Sequence, residues 1–436
     1  MRFGGPRASP SRDPSRSNAG LSRTFAGLAL LLVVALHICS AQTLARPGWV
    51  GSGMTVERWW PHAVFCEVTP DSLPSGTAAQ NSSTLHRLSD RIEDLQALGV
   101  DGVLLQGLET PGQRTPATPN THQAIVSLDP RFGTLDQFDD LVADAVRHGL
   151  RVLVELNGAP ANTSLANEAR FWLNRGVTGI ALSGSGPAQI RLVRGVLRGY
   201  IGDRVLIAQD TGAGPSTDSP PDTATSPAQL REASHTSSAS RGDQPDLLRI
   251  ALPPVSSGAQ ALRSTIERAR SMAAGRSPIP MLGAGGIPGD PLSARVLATV
   301  LLGSGGAVLL RADDLDLSHA NAASSQSTVF AWYREWSGLH RGNAAMRSGE
   351  HTLLDHDADG ALVWVRAGRA GAAPIVAICN VTGQPIRLSL ISDIQKLRLR
   401  GSFLRTVARS DGGMGAMPLR EVVLPAYAVY VGELSR

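Results

Sequence analysis

The residues best suited to chemistry are four carboxylates near the carboxyl ends of short apolar runs: Glu155, Asp210, Asp313 and Asp314. If those runs are parallel strands, their carboxyl ends meet at one rim, where barrel enzymes keep their sites. A pair of carboxyl groups at such a rim can act as general acid and general base. The alternative is that all four are solvated charges, because single carboxylates are common near strand ends.

Other reactive side chains offer little. Lys396 is the only lysine among 41 basic residues, which leaves Schiff-base chemistry almost no candidate. The histidines, including His122, His148 and His340, lack metal-ligand spacing and are interpreted as surface or helix-face residues. Neither a metal nor a cofactor is predicted. Beyond the N-terminal Cys39, Cys66 and Cys379 are expected to be two buried thiols rather than a disulfide.

Eight short apolar runs alternate with helical patterns, which indicates a parallel sheet wrapped by helices. They are residues 63–68, 102–105, 152–156, 179–182, 205–208, 248–252, 279–282 and 307–310. Eight such strands predict a (β/α)8 TIM barrel of the α/β class.

The helices carry their own start and stop signals. Apolar residues from Leu85 to Leu98 recur at helical spacing before Gly99, which predicts one helix. Thr134 and Gln137 form a predicted capping box. Further helices are expected at residues 167–175, 187–198 and 328–341.

Composition then divides the chain into segments. Residues 211–244 are rich in Ser, Thr, Pro, Ala and Gly and are predicted to be a disordered insertion within a barrel domain at 58–343. A C-terminal antiparallel β-sandwich domain is expected at 344–436. Its predicted strands are residues 361–365, 375–380, 386–390 and 426–432.

The N-terminal region predicts export. The formal net charge of +4 lies entirely before an apolar run at 25–36, so the body is neutral and a nucleic-acid partner is not expected. Residues 1–41 are interpreted as a signal peptide or signal anchor, and 42–57 as a linker. The body is then extracytoplasmic: secreted or periplasmic after cleavage, or membrane-anchored. Asn81, Asn162 and Asn380 fit the N-glycosylation pattern.

Several strings in order along the chain resemble one family. They are Trp59-Trp60 before AVFCEV, LGVDGVLL at 98–105, LDPRFGT at 128–134, FWLNRGVTGIAL at 171–182, and FAWYREWSGLHRGN at 330–343 followed by RSGE. Together they are similar to the alpha-amylase superfamily, glycoside hydrolase family 13. The resemblance covers about residues 59–434 and implies a barrel followed by a β domain.

The same resemblance implies that the catalytic groups are missing. The positions that match the family's nucleophile and the arginine before it hold Ser183 and Ala181, and the acid position holds Gln209. The family's stabilising carboxylate is the last residue of an Asn-His-Asp string, which this chain replaces by Ala284-Gly285-Gly286. Ala159 and Pro160 replace a second Asn-His pair of the family. A neutral serine does not replace a carboxylate nucleophile, and glutamine has no proton to give. Glu155 and Asp210 are the surviving carboxylates.

Two further features bear on sugars and partners. The loop after residue 156 is too short for the family's excursion domain, and Phe132 is the one aromatic residue expected in the strand-end loops, so carbohydrate binding is weakly supported. With its catalytic groups and excursion domain missing and its N-terminus basic, the chain resembles the heavy-chain subunits of heteromeric amino-acid transporters. The similarity is greatest over residues 121–141. That likeness implies a protein partner embedded in a membrane.

The leading hypothesis is an exported, catalytically inactive amylase-like protein with a structural or protein-interaction role. One alternative is a divergent family 13 hydrolase or transglycosylase acting on alpha-glucosides with relocated carboxylates. Another is a glycan-binding module.

Overall fold

The apolar runs form eight parallel strands that close into a barrel in the computed structural model. Strand β8 pairs back onto β1 through Val64 and Val308, which completes the ring. The strands are β1 Val64–Val68, β2 Gly102–Leu105, β3 Arg151–Asn157, β4 Gly179–Ser183, β5 Val205–Gln209, β6 Leu247–Leu252, β7 Ile279–Ala284 and β8 Ala307–Arg311. The predicted barrel is confirmed.

The structure describes residues 58–73, 83–108, 128–157, 163–209, 244–273, 279–284, 291–315, 329–348, 350–368, 372–413 and 415–436. The predicted signal segment at 1–41, the linker at 42–57 and the insertion at 211–244, except Gln244, lie outside these residues. Asp210, Ala159, Pro160, Gly285 and Gly286 also lie outside them.

Helices follow the strands along the chain. Their bounds are α1 Thr84–Ser89, α2 Ile92–Ala97, α3 Leu135–Arg147, α4 Thr163–Asn174, α5 Pro187–Leu197, α6 Gly258–Ala273, α7 Pro291–Gly303, α8 Val329–Gly342 and α9 Ala344–Ser348. The capping box of α3 is present, with the Thr134 and Gln137 side chains each accepting from the other residue's backbone N–H.

The prediction of one helix from Leu85 to Leu98 was wrong. The chain forms two helices, because Arg91 leaves the helical region with φ −108° and ψ 6°. The apolar stripe survives the break, since Leu85, Leu88 and Leu95 are all fully buried. Helical spacing therefore predicted which residues are buried in the core, but it did not predict the break between the two helices.

Inward-facing apolar side chains fill the barrel below the carboxyl ends of its strands. Because side chains alternate along a strand, every second residue points to the interior. Phe65, Leu104, Leu153, Ile207 and Leu309 belong to one buried apolar cluster. The barrel is therefore packed, and the inward positions nearer the carboxyl ends remain for polar side chains.

The C-terminal region is an antiparallel β domain, as predicted. A six-stranded sheet has the order β14-β13-β16-β11-β10-β9, and a separate pair is formed by β12 and β15. The strands are β9 Glu350–Leu354, β10 Ala361–Ala367, β11 Ile375–Asn380, β12 Ile386–Leu388, β13 Phe403–Arg409, β14 Met417–Pro418, β15 Val422–Leu424 and β16 Val429–Ser435; helix α10 is Ile391–Lys396.

The large sheet packs closely against the barrel helices. A Cβ added to Gly303, the last residue of α7, would lie 2.5 Å from Cζ2 of Trp364 on β10, so glycine is needed for this approach. Across the same junction, the Arg263 side chain of α6 donates to Oδ1 of Asp357 at 2.8 Å. Both contacts hold the β domain on the barrel.

One N-glycosylation pattern is part of the core. Asn380 is fully buried, and its Nδ2 donates to the carbonyl oxygens of Gln384 and Pro425 at 2.7 and 2.6 Å. Its Oδ1 accepts from the Thr382 hydroxyl at 2.8 Å. In this structure the Asn-Val-Thr string stabilises a turn, and the amide is inaccessible as a glycan acceptor. Asn81 and Asn162 lie outside the described residues.

Buried polar groups complete the comparison with the sequence. Cys66 and Cys379 are buried free thiols, as expected, and burial raises the pKa of each. His340 lies on helix α8, as one of the two expected alternatives had it, and the surface alternative was wrong: its ring is buried and contacts the carbonyl oxygens of Leu302 and His62. Within the described ranges, none of the helices has the length and apolar composition of a membrane span.

Candidate functional site

A polar layer lies at the carboxyl ends of the barrel strands, above the apolar cluster. It continues the inward alternation of the strands, as the pairs Phe65 and Glu67, Leu153 and Glu155, and Leu247 and Arg249 illustrate. We call this set the mouth layer. It consists of Glu67, Gln106, Glu155, Ser183, Gln209, Arg249 and Arg311.

An ion pair crosses the mouth layer from β6 to β1. Nη1 and Nη2 of Arg249 donate to Oε1 and Oε2 of Glu67 at 2.5 and 2.9 Å. The Glu67 side chain is only 4% exposed and that of Arg249 19%. Bidentate pairs of this kind are strong because both hydrogen bonds are charge-assisted. Both carboxylate oxygens of Glu67 are therefore held by one guanidinium.

Glu155 approaches the same guanidinium from β3. Its Oε2 lies 3.8 Å from Nη1 of Arg249, and its Oε1 accepts a hydrogen bond from Nε2 of Gln106 at 3.1 Å. Ser183 also hydrogen bonds to this carboxylate. Burial raises the pKa of Glu155, while Gln106, Arg249 and Ser183 oppose that change. Arg249 thus stands between two acidic side chains.

The two aspartates after β8 have different environments. Asp313 accepts from Nη2 of Arg311 at 2.9 Å. Asp314 is 8% exposed, and its Oδ1 is buried without a hydrogen-bond partner. Burial raises the pKa of Asp314 to about 6, against the effect of Arg311 and with help from Asp313 and Glu67. This carboxyl group can hold a proton in mildly acidic solution.

The positions that match the family's catalytic residues fall where the sequence placed them, at the ends of β4 and β5. Ser183 lies beside Glu155, and Gln209 is exposed at the last position of β5. Ala181 is buried in the apolar cluster below them. The structure brings Ser183 and Glu155 together; Asp210 and Gly286 are outside the described residues.

Phe132 does not supply a sugar platform. The ring was the one aromatic group expected in the strand-end loops, and it is fully buried in the main hydrophobic core. A stacking surface must be exposed to reach a sugar. This residue therefore stabilises the fold.

Four mouth-layer residues were missed from the sequence: Glu67, Gln106, Arg249 and Arg311. The signal was a charged or amide side chain two positions after an inward apolar residue, as in Phe65-Cys66-Glu67 and Leu247-Leu248-Arg249. Glu67 is the penultimate residue of the predicted run 63–68, as Glu155 is of the run 152–156, so the same signal was present for both carboxylates.

Comparison with curated proteins finds short similarities. The chain is 30% identical over 100 residues to trehalose-6-phosphate hydrolase of Escherichia coli (strain K12), a stretch covering 22% of this chain and 17% of that protein. It is 33% identical over 98 residues to a probable alpha-glucosidase of Rhizobium meliloti (strain 1021), with the same two shares. The chain therefore matches less than a fifth of the length of these relatives. No protein-family profile matches it.

Solved structures give a longer match. The trehalulose synthase MutB from Pseudomonas mesoacidophila MX-45 superimposes with a TM-score of 0.62 at 14% identity, covering 87% of this chain and all of that one. A MutB mutant in complex with glucose gives a TM-score of 0.63 at 14% identity and the same coverage. The chain has the alpha-amylase family fold, that of glycoside hydrolase family 13, and the fold that the sequence resemblance implied is confirmed.

Proposed function

We propose that this chain is an alpha-amylase-like protein that does not cleave glycosidic bonds and that serves a structural or protein-interaction role. The observation that carries the proposal is the position of Arg249, whose guanidinium pairs with Glu67 and faces Glu155. It supports the idea that the acidic groups left at the barrel mouth neutralise an internal cation.

Retaining glycoside hydrolysis needs a free carboxylate as nucleophile and a protonated carboxyl group as acid, about 5–5.5 Å apart. Glu67 has both oxygens bound to Arg249, so neither is free to attack a sugar. Ser183 and Gln209, at the positions that match the family's nucleophile and acid, carry no charge and no acidic proton at neutral pH. Losing groups that act together costs several orders of magnitude in rate.

The direct test is an activity assay of the purified full-length chain. Starch, maltodextrin, sucrose and trehalose are each incubated with increasing protein, and hydrolysis and transfer products are separated by chromatography. We expect no product above the protein-free control. Turnover that rises in proportion to protein, and that a contaminant cannot explain, would refute the proposal.

A second candidate is a divergent hydrolase or transglycosylase that acts on alpha-glucosides with relocated carboxylates. The raised pKa values of Glu155 and Asp314 favour it, because a general acid must hold its proton near the working pH. Asp210 is a further carboxylate that follows β5 in the sequence. If activity is found, Glu155→Gln and Asp210→Asn should each lower kcat by at least 100-fold; unchanged kcat in both removes this candidate.

A glycan-binding role needs affinity without turnover. Titration calorimetry of the full chain against a panel of oligosaccharides tests it. Because the Phe132 ring is buried, we expect no heat of binding.

We also propose that the chain is exported and holds a protein partner, on the basis of the N-terminal sequence and its likeness to transporter heavy chains. Crosslinking in native membranes followed by pull-down should recover one protein in stoichiometric amount. N-terminal sequencing of the same sample distinguishes cleavage near Ala41 from a retained anchor. Recovery of the chain alone after efficient crosslinking would contradict a partner role.

A further inference from the structure

Three cationic or potentially cationic side chains meet where helix α6 packs against the large sheet of the β domain. His351 and Arg366 are directly opposite each other on the paired strands β9 and β10, so both side chains lie on one face of the sheet. Arg270 lies in the last turn of α6. It is close enough to lower the pKa of both other groups. We call Arg270, His351 and Arg366 the junction cluster.

Arg366 is a buried cation that lacks a carboxylate partner in the described part of the chain. It is 5% exposed, and its Nε, Nη1 and Nη2 donate to the backbone carbonyls of Ala345, Ser304 and Met346. Burial lowers its pKa to about 10, and Arg270 adds to the effect. A buried charge without a counter-charge costs several kcal/mol, so this position favours a nearby negative charge.

His351 provides the second, independent observation. It is 6% exposed, and neither ring nitrogen has a hydrogen-bond partner. The indole Nε1 of Trp364 is also unpartnered, and the two ring centroids are 6.2 Å apart. Buried N–H groups are nearly always satisfied by an acceptor. Two buried rings without an acceptor, beside a guanidinium that lacks a counter-charge, therefore indicate a missing acceptor that carries negative charge.

We propose that the junction cluster binds a small monovalent inorganic anion, for which chloride is the probe. Such an ion would give Arg366 a counter-charge and accept hydrogen bonds from the His351 and Trp364 rings. A monovalent ion fits better than phosphate, because Arg366 is the one buried permanent charge of the cluster and a second negative charge would be desolvated without compensation.

Chloride should stabilise the full-length protein when ionic strength is held constant with sodium gluconate. At a concentration tenfold above Kd, linkage predicts a rise in Tm of about 2 °C. Because a bound anion favours the charged imidazole, chloride should also raise the pKa of His351 followed by NMR. The groups that face this ring are Arg366 on β10 and Arg270 on α6, which both lower its pKa without the ion.

Two variants and one control separate binding from folding. Arg270→Ala removes only an exposed charge and should weaken chloride binding by about threefold. His351→Phe keeps a ring of similar size but removes both ring nitrogens, and should abolish the chloride-dependent rise in Tm. Arg405→Ala, an exposed arginine of the same domain, should respond like the native protein. No chloride-dependent change in Tm, or an equal change in His351→Phe, would overturn the proposal.

Discussion

Replacing Arg249 by leucine tests the mouth layer most sharply. The substitution leaves the Glu67 carboxylate, 4% exposed, without the guanidinium that binds both of its oxygens. Removing one member of a buried ion pair typically costs 3–5 kcal/mol; with Arg249 19% exposed we expect the lower end, about 3 kcal/mol. For a folded unit of this size, that loss lowers Tm by about 4 °C.

The pH dependence identifies the cause of the loss. Protonation relieves a buried carboxylate that has no partner, so the deficit of Arg249→Leu should shrink as the pH is lowered toward about 4. Urea unfolding followed by tryptophan fluorescence, at neutral pH and at pH values near 4, measures the deficit. A loss of packing alone would be the same at both pH values.

Two controls complete the design. The double variant Glu67→Leu with Arg249→Leu removes both charges of the pair and should recover the part of the deficit that the Glu67 carboxylate causes, since an apolar pair often replaces a buried ion pair without loss. Glu155 still lacks the guanidinium in this variant, so recovery is incomplete. Arg405→Ala breaks an exposed pair with Glu433 and should cost less than about 1 kcal/mol. A deficit in Arg249→Leu no larger than this, or one that does not depend on pH, would refute the described ion pair.

Three further variants test other parts of the structure. Asp314→Asn should stabilise the protein by up to about 3 kcal/mol at neutral pH in urea unfolding. Burial raises the pKa of Asp314 to about 6, so between about pH 3.8 and 6 the folded protein holds a proton that the unfolded chain has released. Native stability therefore falls as the pH rises through this range, and the Asn variant escapes that loss. An Asn variant no more stable than the native protein would contradict the buried carboxyl group. Burial and Arg366 lower the pKa of His351, so the unfolded chain takes up a proton below about pH 6.5 that the folded protein does not. The free energy of unfolding of the native protein should therefore fall as the pH is lowered below about 6.5, and it should fall less steeply in His351→Phe. Equal slopes in both proteins would disprove this. Gly303→Ala forces a Cβ against Trp364 and should cost about 1–3 kcal/mol in thermal unfolding, whereas Gly338→Ala, in open space on α8, should be neutral or stabilising; equal effects would contradict the close approach.

The barrel was predictable because most of its strands carry their own signature. The β2 residues at 102–105 are all buried, so composition alone identifies the strand. Strand β9 was not predicted, because only His351 and Leu354 of its five residues are buried and its pattern matches neither alternation nor a continuous apolar run. Its place in the sheet depends on pairing with β10, which a local pattern does not contain.

Site residues could be predicted from the sequence only where their place at the end of a strand follows from the apolar run before them. Ser183 and Gln209 could be placed at strand ends because apolar runs precede them. The pairing of Glu67 with Arg249 joins residues 182 positions apart and could not be read from spacing. Burial of Asp314 and His340 likewise depends on helix α8 packing on the barrel, which distant elements decide.

The most direct test of an inactive barrel mouth is chemical trapping. The full-length protein is incubated with a fluorinated, activated alpha-glucoside, which reacts with a carboxylate nucleophile and leaves a slowly hydrolysed glycosyl ester, and intact mass is measured. With Glu67 bound by Arg249 and serine at position 183, the mass should not change. A stoichiometric gain of one glycosyl group, mapped to Glu155 or to another carboxylate at the mouth, would contradict the inactive assignment.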